Sequence, residues 1–264
     1  MSFAKGKQEI TVPAADLKWE DMHPGAPVKF SVLWGDYKKG PFGMLLKQPS
    51  GSESGMHTHA SDYHAVLVQG TWIHTVEGDS SAPKELTPGS YVMQPAWQMH
   101  NEKFKGPEDC IVYIHQLGKA DFIPFKGARP GEKKSKQEIT VPVADLKWED
   151  MHPGSPVKFS VLWGDHTKGP FGMLLKQPGG GFEAGMHTHA TDYHAVLVQG
   201  TWIHTVEGDS SAPKELTPGS YVFQPAWQFH NEKFMGPEDC IVYIHQLGKA
   251  DFIPFKGARP AEKK

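Results

Sequence analysis

The chain has 264 residues, 38% of them hydrophobic, with Lys+Arg 27 against Asp+Glu 30 and a net charge of -3. This describes a globular protein with enough apolar material for two domains, and it excludes the basic surface that nucleic-acid binding needs. With 2 cysteines there is no disulfide scaffold, and no apolar run is long enough to cross a bilayer, so no membrane partner is expected.

In chain order, the N-terminal stretch Met1 to Lys7 lacks the apolar core of a secretory signal, and a cytoplasmic location is expected. Residues 13–22 have room for one helical turn. The apolar stretches that follow are short and rich in Val, Ile, Tyr, Phe and Trp: 28–34, 43–46, 63–68, 72–76, 91–94 and 110–117. Turn chemistry such as Thr87-Pro88-Gly89 separates them, and no helical period is sustained over several turns. Short strands at close spacing predict an all-β sandwich or barrel. Cys110, inside the run Cys-Ile-Val-Tyr-Ile, reads as a small buried strand residue.

Residues 7–134 return, with few substitutions and one inserted residue, as 136–264. A repeat of this size matches a whole domain and far exceeds a solenoid unit. Two tandem domains, 1–131 and 132–264, are therefore expected, joined through the polar segment 127–136. Neighbours this similar are prone to exchange strands.

One spacing occurs in both halves. It comprises Gly51, His57 and His59, then Gly89, Pro95 and His100, and again Gly181, His187 and His189, then Gly219, Pro225 and His230. Strand alternation puts His57 and His59 on one face, and a later strand brings His100 back to them. Convergence of three imidazoles from separated segments points to a metal site in each half. His74, His115 and their copies His204 and His245 lie in strands, where a histidine either lines a cavity or is a satisfied structural group.

These glycines, histidines and prolines resemble the two signature motifs of the cupins over about 100 residues of each half. The resemblance implies two tandem jelly-roll barrels, each a double-stranded β-helix, in the style of the ChrR-like cupins and related small dioxygenases. Tyr63 and Tyr193 stand where that family usually has a ligand glutamate. They are read as facing inward, with His64 and His194 outward, and serve either as hydrogen-bond donors at the metal or as core filling. Trp97 and Trp227 occupy a family glycine position, and Phe104 and Phe234 a family asparagine position. Together with Met93, Met99, Phe223 and Phe229 they are the expected substrate-pocket residues.

Without the glutamate, three neutral imidazoles leave a divalent ion its full charge, which favours anionic chelating ligands. The resemblance therefore implies an oxygenase acting on a small diketone, hydroxy ketone or phenolic substrate. Fe(II) is the favoured metal, with Zn, Mn, Ni or Cu compatible. Tyr63 and Tyr193 are the catalytic candidates. The alternatives are a metal-dependent isomerase or lyase, and a non-catalytic metal-binding sensor. By analogy the chain is expected to be a pseudo-two-fold monomer or a homodimer.

Overall fold

The computed structural model describes residues 7–126 and 136–256, so that 127–135 of the expected junction lie outside it. Among the described residues there is no α-helix. Single 3-10 turns occur at Ala14–Asp16 and Val143–Asp145, where the sequence allows a helical turn. Among the described residues, no helix is long and apolar enough to cross a membrane.

The strands fold into two jelly-roll barrels. The first compact unit is Leu17–Lys147, and the second is Met1–Asp16 with Trp148–Lys264. In the first, one sheet has the order Ile139–Val141, Tyr91–Gln94, Tyr63–Gln69, Cys110–Gln116, Phe42–Gln48, Lys29–Gly35, Glu20–Asp21. Its second sheet has the order Ile123–Pro124, His57–Thr58, His100–Lys105, Thr71–Val76, Glu85–Leu86. The second unit repeats both orders and adds Phe182–Glu183, which pairs with Phe234 and Lys233.

Period-two alternation decides what each sheet buries. From Tyr63–Gln69, the side chains of Tyr63, Ala65 and Leu67 enter the core, where they meet Trp72, Leu86, Phe104, Cys110 and Val112. Trp72 and Phe104 stack at 6.3 Å with 10° between their planes. Truncating either buried ring to Ala is expected to cost about 3–5 kcal/mol. On the opposite face of the sheet, His64 lies against Tyr91, Trp34 lies against His115, and Trp34 Nε1 donates to Tyr113 Oη at 3.2 Å.

Gly70 turns between two core strands at φ +88°, and a Cβ there would lie 2.3 Å from Cys110 Sγ. The small thiol expected at position 110 is thus required by close backbone approach. Cys110 is fully buried, and burial pushes its thiol upward in pKa, as an inert structural cysteine requires.

The sequence repeats 1–131 and 132–264 and the compact units are offset by one strand. Ile10–Val12, from the first repeat, pairs antiparallel with Tyr221–Gln224 in the second unit. Ile139–Val141, from the second repeat, pairs with Tyr91–Gln94 in the first. Each inserted strand covers what would otherwise be an open sheet edge. Its arrival is fixed locally: Val143 N donates to Ser90 Oγ at 3.0 Å, and Ala14 N donates to Ser220 Oγ at 2.9 Å. Lys136 pairs with Asp62 at 2.7 Å. The strand exchange anticipated as a hazard is the native arrangement.

Candidate metal centre

His57 opens the short strand His57–Thr58, which follows the polar loop 49–56, and His59 comes directly after it; His100 opens the neighbouring strand, with His57 and His100 directly paired. His57 and His100 have ring centroids 4.2 Å apart, and His59 lies 5.1 Å from His57 and 5.4 Å from His100. One nitrogen from each of the three lies within 4.8 Å of the others, and His187, His189 and His230 repeat the arrangement.

The hydrogen bonds show which nitrogens these are. His57 Nδ1 bonds the Gly55 carbonyl at 2.8 Å, His59 Nδ1 the Asp121 carbonyl at 2.6 Å, and His100 Nδ1 the Gln98 carbonyl at 3.0 Å. A carbonyl only accepts, so each Nδ1 carries the proton and each Nε2 presents a bare lone pair. Burial, reinforced by neighbouring histidines, lowers the pKa of His57 to about 4 and that of His100 to about 2, keeping both rings neutral at pH 7. Three lone pairs facing one another repel unless a cation lies among them, so the donor set fits a divalent metal ion.

Tyr63 points into this cluster, as expected, and His64 does not. The Tyr63 hydroxyl is 3.3 Å from His100 Nε2 and donates to Glu102 Oε1 at 3.3 Å. Tyr193, His230 and Glu232 repeat the contacts at 3.2 Å and 3.4 Å. Glu102 is buried, and desolvation pushes its carboxyl up to about 7. Burial holds Tyr63 well above its ordinary pKa, as a protonated donor. The three-histidine group itself contains no carboxylate, but Glu102, on the strand of the third histidine, stands beside it and groups with His100 and His74. Strand alternation carried the signal, because His100, Glu102 and Phe104 share one buried face.

The expected pocket residues fall into separate places. Trp97 and Trp227 are tied to the cluster by their backbones, each N–H donating to the carbonyl of His59 or His189 at 2.8 Å. Their φ values of 65° and 63° explain the family glycine, since a bulky residue in this region is strained. Phe104 and Phe234 are core residues packed on Trp72 and Trp202. Phe229 packs edge-on against Phe255 at 5.0 Å, and Met99 is buried at the equivalent position. Met93 and Phe223 lie beside His64 and His194, on the sheet face away from the cluster, and the metal cluster does not include them.

Sequence reasoning missed an aromatic beside the cluster. Phe122 stacks on His57 at 4.3 Å and remains 54% exposed, and Phe252 does the same on His187. Both lie just after polar residues beyond the last long strand, where no periodicity marks them.

The strain at Trp97 is testable. A glycine has no Cβ to clash at positive φ, so Trp97→Gly should be more stable than Trp97→Ala by about 1 kcal/mol in denaturant unfolding. Equal stabilities would mean that the backbone relaxes when the indole is removed.

The model of a domain of unknown function, DUF4437, matches residues 4–123 and again 124–252. The chain belongs to the DUF4437 family. No curated protein sequence matches it. Among solved structures, this DUF4437 chain is similar to a "putative dioxygenase" from Nostoc punctiforme PCC 73102, with TM-score 0.68, 14% identity, 95% of this chain and 88% of that chain covered. It is similar to the oxalate decarboxylase of Lactobacillus farciminis in complex with formate, with TM-score 0.60, 12% identity, and 96% and 90% covered. The Bacillus subtilis oxalate decarboxylase, studied for its Mn(II) centres, matches with TM-score 0.59, 12% identity, and 96% and 81% covered. At these identities the likeness establishes the fold alone: two tandem jelly-roll barrels in one chain.

Proposed function

We propose that this DUF4437 chain is a metal-dependent oxygenase that binds a small anionic chelating substrate, a diketone, hydroxy ketone or phenolic compound, at the three-histidine centre of each barrel. The observation that carries this reading is the set of three Nδ1–H···O=C bonds, which turn three Nε2 atoms toward one another beside the half-exposed Phe122 ring. A divalent ion held there supplies Lewis-acid activation, and Fe(II), the favoured resident, also supplies redox capacity. The residues around it have separate tasks. Phe122, stacked on His57, gives an apolar wall for the body of a substrate whose chelating end faces the histidines. Tyr63 donates its proton toward Glu102, so the pair holds a proton beside His100 Nε2, within reach of a bound oxyanion.

A second reading, a lyase, draws support from Glu102. A carboxyl raised to about 7 is suited to giving and taking a proton without any oxidant. The experiment that separates the readings is metal analysis of the purified protein, followed by oxygen-electrode and product assays with diketones, hydroxy ketones and small carboxylates. Oxygen uptake matched to substrate loss is expected. Substrate loss without oxygen uptake decides for the lyase, and tight metal with no turnover of any compound returns the protein to a binding module.

A further inference from the structure

We propose that each barrel also contains an inner metal seat, formed by His74, His100 and Glu102 in the first barrel and by His204, His230 and Glu232 in the second. This rests on the reading of His100 and His230 as ligands of the outer three-histidine seat. The three inner residues bring one nitrogen or oxygen each within 4.8 Å of the others, and all are buried. Glu102 and His74 are directly paired across adjacent strands, and His74 and His100 stack at 5.3 Å, so the barrel wall itself sets the group.

Two further observations mark this as a built site. His74 is only 1% exposed, yet its ring makes no hydrogen bond of good geometry, having only the Gln94 side chain and the Glu138 carboxylate at 3.5 Å nearby, and both ring nitrogens of His204 are likewise unsatisfied. Glu102 receives its hydrogen bond from Tyr63, and among the described residues no lysine or arginine pairs with it. A buried, poorly satisfied imidazole beside a buried carboxylate with no counter-ion is costly unless a cation lies between them.

Behind His74, the Glu138 carboxylate lies 3.5 Å from Nδ1, and in the second barrel Glu9 lies 3.7 Å from His204 Nδ1. A carboxylate on the far nitrogen is how metal-binding imidazoles are usually oriented. Glu138 accepts from the Thr140 hydroxyl and stands on the wall of a cavity of about 610 Å³ that His74, Asp79 and Lys84 also line. The cavity gives the inner seat an entry path of its own. Glu138 precedes the exchanged strand Ile139–Val141, and Glu9 precedes Ile10–Val12, so the orienting carboxylate of each barrel comes from the other repeat.

The seats share one atom. His100 Nδ1 is held by the Gln98 carbonyl, which leaves only Nε2 for either ion. One ion per barrel follows, in one seat or the other. The donor sets differ in hardness: three imidazoles suit Zn, Cu or Ni as well as the Fe(II) proposed above, whereas two imidazoles and a carboxylate shift preference toward the harder Mn(II).

The test is titration of the chelator-stripped, full-length protein with Mn(II) and separately with Zn(II), read by calorimetry and by the Mn(II) spin signal. In Glu102→Gln with Glu232→Gln, Mn(II) should bind at least about tenfold more weakly while Zn(II) stays within about threefold. His59→Ala with His189→Ala should do the reverse. In the wild type, Zn(II) should displace Mn(II) one for one. Equal weakening of both metals by the glutamine pair, or no effect on Mn(II), would overturn the inner seat, and simultaneous binding of both metals at about four ions per chain would overturn the sharing of His100 and His230 between seats. A wild type that binds neither metal removes the outer-seat reading as well, and so is distinguishable. Should the glutamine pair fail to fold, Glu138→Gln with Glu9→Gln on the cavity wall serves instead, with a Mn(II) loss of about tenfold expected and an unchanged Mn(II) affinity overturning the proposal.

Discussion

His100→Ala combined with His230→Ala should strip the protein of metal, lowering bound ions from about two per chain to less than about a tenth of that value and abolishing turnover. No other residue touches so much of the site. His100 is fully buried, lies 4.2 Å from His57 and 5.4 Å from His59, faces His74 at 5.3 Å, and has the Tyr63 hydroxyl on its Nε2. Removing the ring takes a ligand from both seats at once and leaves two imidazoles that cannot enclose an ion on their own. His64→Ala with His194→Ala is the matched control, since those rings lie across the sheet against Tyr91 and Tyr221. Mass-spectrometric metal analysis reads both variants. Metal kept in the first and lost in the second would move the site to the opposite face of the sheet.

Gly70→Ala with Gly200→Ala should destabilise each barrel by about 3–4 kcal/mol, enough to lower the thermal midpoint by about 10 °C. Two costs add. The φ values of +88° and +90° are strained for any residue with a Cβ, and that Cβ would stand 2.3 Å from Cys110 Sγ or 2.2 Å from Cys240 Sγ. Only the second cost depends on the thiol. Adding Cys110→Ala and Cys240→Ala should therefore recover part of the loss, about 1–2 kcal/mol, as a non-additive term in a double-mutant cycle. Strict additivity would show that the backbone conformation accounts for the whole effect.

The strands and the three-histidine cluster were legible in the sequence because both rest on local signals: short β-rich runs between turns, and a same-face His-x-His pair with a third histidine at fixed spacing. Tyr63 could be aimed inward by the same alternation. Glu102 was equally readable, since a charged side chain between His100 and Phe104 on a buried face is an anomaly, but attention to the family glutamate position hid it. The surroundings of the cluster were not readable. Trp97 is tied to it through a left-handed backbone conformation, and Phe122 reaches it through a segment without periodicity. Met93 was misjudged because alternation ties it to Tyr91 without saying which face Tyr91 takes. The near-identity of the repeats signalled that strands could be exchanged, but no sequence pattern says that they are. The competing strands are both Ile-Thr-Val, preceded by Gln-Glu, and their acceptors Tyr91-Val-Met-Gln and Tyr221-Val-Phe-Gln differ at one position, so pairing preference is degenerate and chain connectivity decides.

A polypeptide cut between the repeats would inherit that degeneracy. Its own Ile-Thr-Val strand would have lost the acceptor it uses in the intact chain, and its Tyr-Val-x-Gln edge would lie bare. Two such fragments satisfy each other by reciprocal donation, at the entropic cost of a bimolecular encounter. Tethering the repeats replaces that encounter with a local concentration in the millimolar range. Dilution, which would dissociate the fragments, then has no hold on the intact protein. Gene fusion here makes permanent a handshake that separate halves would have to find anew each time they fold.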